Sequence, residues 1–325
     1  MIGFCSSRWD ASQIPDLTDR VAIVTGGNTG IGYITCLELA RHGAKVYMAC
    51  RVQSRAEAAI EKIKQEVPDA KIEFLFFDLT ILSSAKKAAQ EFSSKESRLD
   101  ILVNNAGIMA TPYELSPDGI ELQACNGTGH FALTAQLLPI LKKTDSTVSD
   151  SHVRIINLSS LAHYYLRDPD FSSLEGMNKQ HKSTWDRYGN SKLSNILHIN
   201  ELQKALQDTN IHCIAVHPGV VGTDLFRGFF KSYPFLKPLA VSQSLFSKRN
   251  VINFFMTPPA KGALTQLYAA TSPEVETKKL KAAYLVPVCE VGKKSALAED
   301  VDGIMGQKFW KLCEKLIEED EQRPT

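Results

Sequence analysis

The sequence predicts an α/β chain: a single doubly wound domain in which about seven strands form a parallel sheet with helices on both faces. Three observations predict it. Seven short apolar runs, rich in β-branched residues, lack strict alternation, as strands covered on both faces do. Longer helical stretches separate these runs, which implies right-handed crossovers between parallel strands. A glycine-rich turn, Thr25-Gly26-Gly27-Asn28-Thr29-Gly30-Ile31-Gly32, joins the first run to the first helix.

The elements follow in order. Residues 1–18 read as a loose N-terminal arm, and the domain proper as residues 19–290. Residues 21–24 are the first strand, and residues 30–42 a helix. Residues 45–50 are the second strand, followed by a helix over 53–66. Residues 72–77 are the third, ending in Asp78-Leu79, with a helix over 82–92. Residues 100–103 are the fourth, running into Asn104-Asn105-Ala106-Gly107 and a long helical region that holds Asn126. Residues 153–158 are the fifth, ending at Ser159-Ser160. A polar, irregular insertion over 166–186 precedes a long helix that opens with Tyr188 and Lys192. Residues 211–216 are the sixth strand, with Pro218-Gly219 after it. A second insertion, 225–259, is unusually aromatic, and residues 282–286 are the seventh strand. Residues 291–325 form a C-terminal extension. Phe309, Trp310, Leu312, Cys313, Leu316 and Ile317 give it an amphipathic helix that docks on the body.

Bulk properties narrow the function. The chain has 325 residues, 44% of them hydrophobic, and a net charge of +1. No basic stripe appears, so no nucleic-acid partner is expected. Seven cysteines include no Cys-x-x-Cys pair, which argues against disulfides and a zinc site; no metal is expected. No run approaches the ~18 apolar residues of a membrane span, and no leader pattern opens the chain, so a soluble cytoplasmic protein is expected.

Three motifs occur in a telling order: the glycine turn, Asn104-Asn105-Ala106-Gly107, then Tyr188-Gly189-Asn190-Ser191-Lys192. Gly26, Gly30 and Gly32 lie where a phosphate could approach a backbone without Cβ atoms, and the helix start adds N–H donors and positive dipole. Tyr188 and Lys192 are four residues apart and share a helix face. A phenol of pKa ~10 is a poor acid at neutral pH, and a neighbouring cation favours its ionised form. A second Tyr-x-x-x-Lys, from Tyr233 to Lys237, contains Pro234, which argues against one helix holding both side chains. Together the motifs imply binding of a nicotinamide dinucleotide and hydride transfer.

The Gly-x-x-x-Gly-x-Gly spacing resembles the short-chain dehydrogenase/reductase (SDR) family, a Rossmann-fold family, over roughly residues 20–290. Ala49-Cys50-Arg51, Asn126 to Thr134 and Asn157 to His163 resemble its retinol-dehydrogenase-like branch. The resemblance implies catalytic roles for Tyr188 as proton donor, Lys192, Ser160 as carbonyl-orienting hydroxyl, and Asn126 as holder of a water beside the lysine. It implies cofactor contacts at Gly26, Asn28, Gly30, Ile31 and Gly32, then at Arg51, Asp78 and Leu79, and at Asn105, Ala106 and Gly107. Tyr188 and Lys192 contact the cofactor too, as do Pro218, Gly219, Val221 and Thr223 near its nicotinamide end. Asp78 has a second reading, a strand-end turn residue. Ser159 reads as a strand-end hydroxyl, and His130, His163 and His217 as structural.

Cys50 stands where an acid would bind a ribose 2′-hydroxyl and repel a 2′-phosphate, and Arg51 follows. That favours NADP over NAD, unless Arg51 is simply a solvated strand-end residue. The expected activity is NADPH-dependent reduction of an apolar ketone or aldehyde, or oxidation of the corresponding alcohol. The Phe-rich stretch is read as a substrate lid, with core packing, a dimer face or a membrane-surface patch as other readings. A homo-oligomer is compatible with the family. Two other functions fit less well: a non-catalytic dinucleotide-binding regulator, which a missing Tyr, Lys or Ser would support, and a sugar-nucleotide epimerase, which would want the other glycine spacing.

Overall fold

The computed structural model describes residues 9–149, 151–222, 232 and 257–323. Its centre is a sheet of eight strands in the order β3-β2-β1-β4-β5-β6-β7-β8. These are β1 (Val21–Thr25), β2 (Lys45–Cys50), β3 (Ile72–Phe76), β4 (Ile101–Asn104), β5 (Arg154–Leu158), β6 (His212–Val216), β7 (Tyr284–Val286) and β8 (Glu290–Val291). The first seven run parallel, as their apolar, non-alternating sequences predict. The eighth was not expected. It is two exposed residues that pair antiparallel with β7.

The sheet separates two cores, and successive strand residues alternate between them. Val21, Ile23, Tyr47 and Ala49 face one; Ala22, Val24, Val46 and Met48 face the other. The second core is roofed by α1 (Gly30–Arg41), α2 (Gln53–Glu66) and, late in the chain, α7 (Pro259–Thr271). The first is roofed by α3 (Leu82–Lys95), α4 (Cys125–Thr147) and α6 (Thr184–Ala205). Short helices α5 (Leu174–Met177), α8 (Glu274–Thr277) and α9 (Ala296–Glu299) lie in connections. The final helix, α10 (Ile304–Glu321), packs on α6, α3 and α4. Its buried face is Phe309, Leu312, Cys313 and Leu316, four of the six residues that defined the expected amphipathic stripe. Phe309 sits edge-on to Phe131 and Phe171, at centroid distances of 6.2 and 5.4 Å.

Two expectations need correction. From Trp9 onward the N-terminal stretch is not loose: Trp9, Ile14 and Leu17 are buried in the α1/α7 core, and Trp9 stands edge-on to Tyr268. The insertion over 166–186 is only partly irregular. Phe171 is buried, α5 forms within it, and α6 already starts at Thr184, capped by the Ser183 side chain.

Strand order reverses at β1, whose neighbours are β2 and β4. The chain must therefore leave β3 and return to the other side of β1. The connections after β1 and β4 diverge there, opening a crevice beyond the carboxyl ends of the strands, where ligands bind in such sheets.

Candidate active site

The turn from β1 to α1 is shaped by close approach. Gly26 and Gly30 adopt φ of +65° and +60°, where side chains are strained. A Cβ on Gly32 would collide with Gly26 O and Asn105 Nδ2, and one on Gly26 would lie 3.0 Å from Ala106 Cα. The sequence reading reserved this space for a phosphate. At Gly26 and Gly32 the protein itself fills it. What remains for an anion is the start of α1, whose N-cap Thr29 makes no side-chain cap hydrogen bond and whose first turn has no acid. The amide donors and dipole at this helix start meet no acid of its own first turn, and the residues fit a dinucleotide pyrophosphate.

Thr25 joins the two sides of the crevice. Its Oγ1 accepts hydrogen bonds from Asn105 N at 2.8 Å and Ala106 N at 2.9 Å. Asn105 Nδ2 donates back to Thr25 O at 2.8 Å. His130 Nε2 is 2.9 Å from Thr25 Oγ1, and its Nδ1 is 2.9 Å from Asn126 O. A carbonyl only accepts, so Nδ1 carries the proton and Nε2 accepts from the threonine. Burial drives the His130 pKa down to about 3, so the ring stays neutral. Sequence reasoning missed Thr25, because its role depends on a loop some eighty positions away.

Beyond β2, Arg51 is exposed, while Cys50 is buried with its thiol 3.3 Å from Asn28 Oδ1. Burial pushes that thiol up to about 11. Asp78 Oδ1 accepts from Thr80 N at 2.9 Å and Thr80 Oγ1 at 2.7 Å, a local turn that favours the turn reading for this oxygen. Leu79 is buried under Gly129 of α4. After β6, Gly219 turns with φ +89°, and Val221 bridges to Thr257. Gly262 lets Val221 and Ile31 approach the same point, which lays this connection against the start of α1. Gly107 and Pro218 are half-buried in their connections. Thr223, nearly all of the 225–259 stretch and the Tyr233 motif lie outside the described residues. Ser232 is described; it donates to Ala110 O at 2.6 Å, and Ala110 packs with Met109 and Tyr188.

Tyr188 and Lys192 lie one turn apart near the start of α6, both buried. The lysine Nζ stands 5.6 Å from the tyrosine ring centroid and donates to Leu158 O at 2.9 Å. Gly189 lets α6 lie against the 3-10 turn Leu161–Tyr164, since a Cβ there would be 2.8 Å from Ala162 O. Ser160 caps that turn, and its Oγ accepts from Ala162 N at 3.2 Å. That hydroxyl also reaches the Tyr188 phenol. Burial raises the Tyr188 phenol to about 12, with the Ser160 hydroxyl acting in the opposite direction, and lowers the Lys192 ammonium to about 7. The expected lowering of the phenol by the lysine is not seen: desolvation, which disfavours both charges, dominates at each residue.

Ser159, read as a bland hydroxyl, anchors this helix by donating to Lys192 O at 2.7 Å. Asn126 is clamped: Ile108 N donates to Oδ1 at 2.8 Å, and Nδ2 donates to Ile108 O at 2.8 Å and Ser191 Oγ at 3.0 Å. Both amide protons are committed to protein, so the side chain fixes the loop after β4 against α6. His217 is buried with Nδ1 unpartnered. Among the described residues, no three His, Cys, Asp or Glu side chains group as a metal site. The arrangement can bind an anionic, extended ligand across the crevice and pass a proton at the Tyr188 hydroxyl.

Comparison with known proteins agrees with this geometry. A family model described as short chain dehydrogenase matches residues 20–167. An uncharacterized oxidoreductase of Schizosaccharomyces pombe is 38% identical, the match covering 98% of this chain and 90% of that protein. Retinol dehydrogenase 12 of Mus musculus is 37% identical over 81% of this chain and 76% of its own length. The crystal structure of an uncharacterized protein from Mycobacterium paratuberculosis superposes with a TM-score of 0.69 at 30% identity, covering 95% of this chain and 97% of that one.

Proposed function

The chain belongs to the short-chain dehydrogenase/reductase family, an oxidoreductase family, and from that membership we propose that it is an NADPH-dependent reductase of apolar ketones or aldehydes, acting in reverse on the corresponding alcohols. The observation that carries the reading is the meeting of Tyr188, Lys192 and Ser160 beside the crevice at β1 and β4.

The backbone N–H groups at the start of α1 would hold the pyrophosphate, and Lys192 the nicotinamide ribose. A bound nicotinamide dinucleotide supplies the hydride. Tyr188 gives its phenolic proton to the substrate oxygen in reduction and takes it back in oxidation. Ser160, with its own oxygen lone pair engaged by Ala162 N, turns its proton toward that oxygen and orients it. Lys192 held as a cation beside the ring favours the phenolate that remains. Asn126 acts by holding Ile108 and Ser191 in place. NADPH is preferred because the end of β2 offers no carboxylate, and exposed Arg51 can pair a 2′-phosphate. Exposed Leu161 and Trp185, the latter edge-on to Tyr188 at 6.1 Å, support an apolar substrate. Five buried cysteines among the described residues, Cys36, Cys50, Cys125, Cys213 and Cys313, are free thiols, which supports a reducing compartment such as the cytoplasm.

The test is Tyr188→Phe. NADPH oxidation with a panel of apolar carbonyl compounds should fall at least ~10²-fold in kcat, while NADPH binding and melting temperature are retained. A variant as active as the parent would remove Tyr188 from the chemistry. Absence of turnover in both proteins, with dinucleotide still bound, would favour a non-catalytic binding role.

A further inference from the structure

Outside the residues assigned above, one buried side chain touches the backbone of Ser160. His163 closes the 3-10 turn that Ser160 begins, and only 1% of its surface is exposed. Its Nδ1 lies 2.6 Å from Ser160 O, and Ser295 N donates to its Nε2 at 3.2 Å. An amide N–H can only donate, so Nε2 is the acceptor, and the proton of the neutral ring sits on Nδ1 and donates to Ser160 O. Burial lowers the pKa of the ring, against the pull of the Ser160 carbonyl, which keeps this neutral form in place.

The ring is also wedged. It stands edge-on to Tyr284 of β7 at 5.0 Å and tilted against Tyr164 at 4.3 Å, and Tyr164 donates its hydroxyl to Lys293 O at 2.5 Å. The turn carrying Ser160 is therefore fastened twice to Lys293–Ser295, the segment that leads into α9 and whose Ser295 side chain N-caps that helix. A residue that merely filled space would not need both ring nitrogens matched to backbone groups of opposite kind.

We propose that His163 is a positioning residue for Ser160, fixing the direction of its hydroxyl through the Ser160 carbonyl and tying that direction to the segment Lys293–Ser295. The inference rests on the reading of Ser160 as the carbonyl-orienting group. A serine hydroxyl aims only as well as its peptide plane is held. The Oγ accepts from Ala162 N, two positions along the same turn, so the backbone of that turn sets where the hydroxyl sits.

Three substitutions separate this role from packing. The amide nitrogen of an asparagine falls near the position of Nδ1 and keeps the donation to Ser160 O. The amide oxygen of a glutamine falls near Nε2 and keeps only the contact with Ser295. Phenylalanine keeps volume and neither contact. In carbonyl reduction by the full chain, His163→Gln and His163→Phe should lower kcat roughly 10- to 100-fold, with the Kd for NADPH, read by fluorescence quenching, within about twofold of the parent. His163→Asn should restore most of the loss. Ser160→Ala is the reference. In that background His163→Gln should cost nothing further, because the group it positions is gone.

Equal losses from His163→Gln with and without Ser160 would overturn the inference, as would an asparagine variant no better than the glutamine one. Should His163→Phe fail to fold, the Asn and Gln pair still decides. If Ser160→Ala itself keeps full kcat, the reading of Ser160 fails, and the His163 inference with it. Loss at Ser160 with unchanged kcat in every His163 variant overturns the His163 inference alone.

Discussion

Thr25 and Asn105 hold each other across the gap between β1 and β4. The asparagine amide N–H donates to the threonine hydroxyl at 2.8 Å, and its side-chain nitrogen donates to the threonine carbonyl at 2.8 Å. Replacing Thr25 with Val keeps the shape and removes the acceptor shared by Asn105 N and Ala106 N. Unmatched donors in a half-buried loop should cost roughly 1–3 kcal/mol. The loop also frames the crevice, so NADPH binding should weaken along with stability. Urea denaturation and dinucleotide titration of Thr25→Val measure both. A full-strength NADPH complex in a destabilised protein would confine the pair to a structural role.

Arg51 tests the choice of dinucleotide. Arg51→Asp should weaken NADPH by roughly 1.5–3 kcal/mol, about one to two orders of magnitude in Kd, and spare or improve NADH. The added carboxylate repels a 2′-phosphate and accepts a ribose hydroxyl. Titrating both dinucleotides against both proteins yields the preference ratio. A ratio unchanged by the substitution would leave Arg51 as a solvated residue.

The helix of Tyr188 is pinned at its start by a buried ion pair. Arg187 Nε donates to Glu121 Oε1 at 3.0 Å, and a second guanidinium nitrogen donates to Thr111 O at 2.8 Å. Desolvation raises the Glu121 pKa, with Arg187 opposing. Arg187→Met leaves that carboxylate buried without its cation and should destabilise the fold by about 3–5 kcal/mol. Without the opposing charge, the Glu121 pKa rises further above its unfolded value. The folded chain then holds a proton that the unfolded chain has released, so the deficit should be larger at pH 8 than at pH 5. Chemical denaturation at the two pH values checks the sign, and a pH-independent deficit would mean that Glu121 keeps its charge.

Lys192 makes stability depend on pH in the other direction. Its folded pKa of about 7 lies below the usual 10.5. Between these values the unfolded chain binds a proton that the folded one does not, so stability from this site rises with pH through the window and is lost as pH falls toward 7. Lys192→Met removes the effect. With no cofactor added, wild-type stability should climb relative to the variant by on the order of 2–3 kcal/mol from pH 7 to 9.5. Parallel urea profiles for the two proteins would show a lysine of ordinary proton affinity.

How legible the molecule was depended on whether a feature was local. Strands such as Lys45–Cys50 and helices such as Gln53–Glu66 are visible because burial on two faces, or one, imprints a pattern on contiguous residues. Glu290–Val291 carries no such imprint; it is a strand only because β7 lies beside it. Trp9, Ile14 and Leu17 follow no period, and their burial is decided by α7, two hundred and fifty positions later. The site divides in the same way. Tyr188 and Lys192 share a helix face by spacing alone. The tasks of Ser159 and Asn126 are set by distant backbone groups at Lys192 and Ile108, which no window of sequence places nearby. Gly26 and Gly32 do lie at the junction of β1 and α1, and close packing gives them a second reason to be glycine. They admit neighbouring backbone and side-chain atoms of the protein, beside the phosphate site expected there.

The docking of α10 on α6 sets an order of events in making the protein. The helix with Tyr188 ends at Ala205, and the helix that covers it ends at Glu321, about 115 residues later. At translation rates of roughly 5–20 residues per second, this interval is roughly 6–23 seconds. Throughout it, the face of α6 on which α10 packs waits for that helix, although the strands from β1 to β5 already exist. A nascent chain at this stage carries a nearly complete sheet with an adhesive flank. Until the last helix arrives, that flank is apolar surface of the kind that chaperones bind.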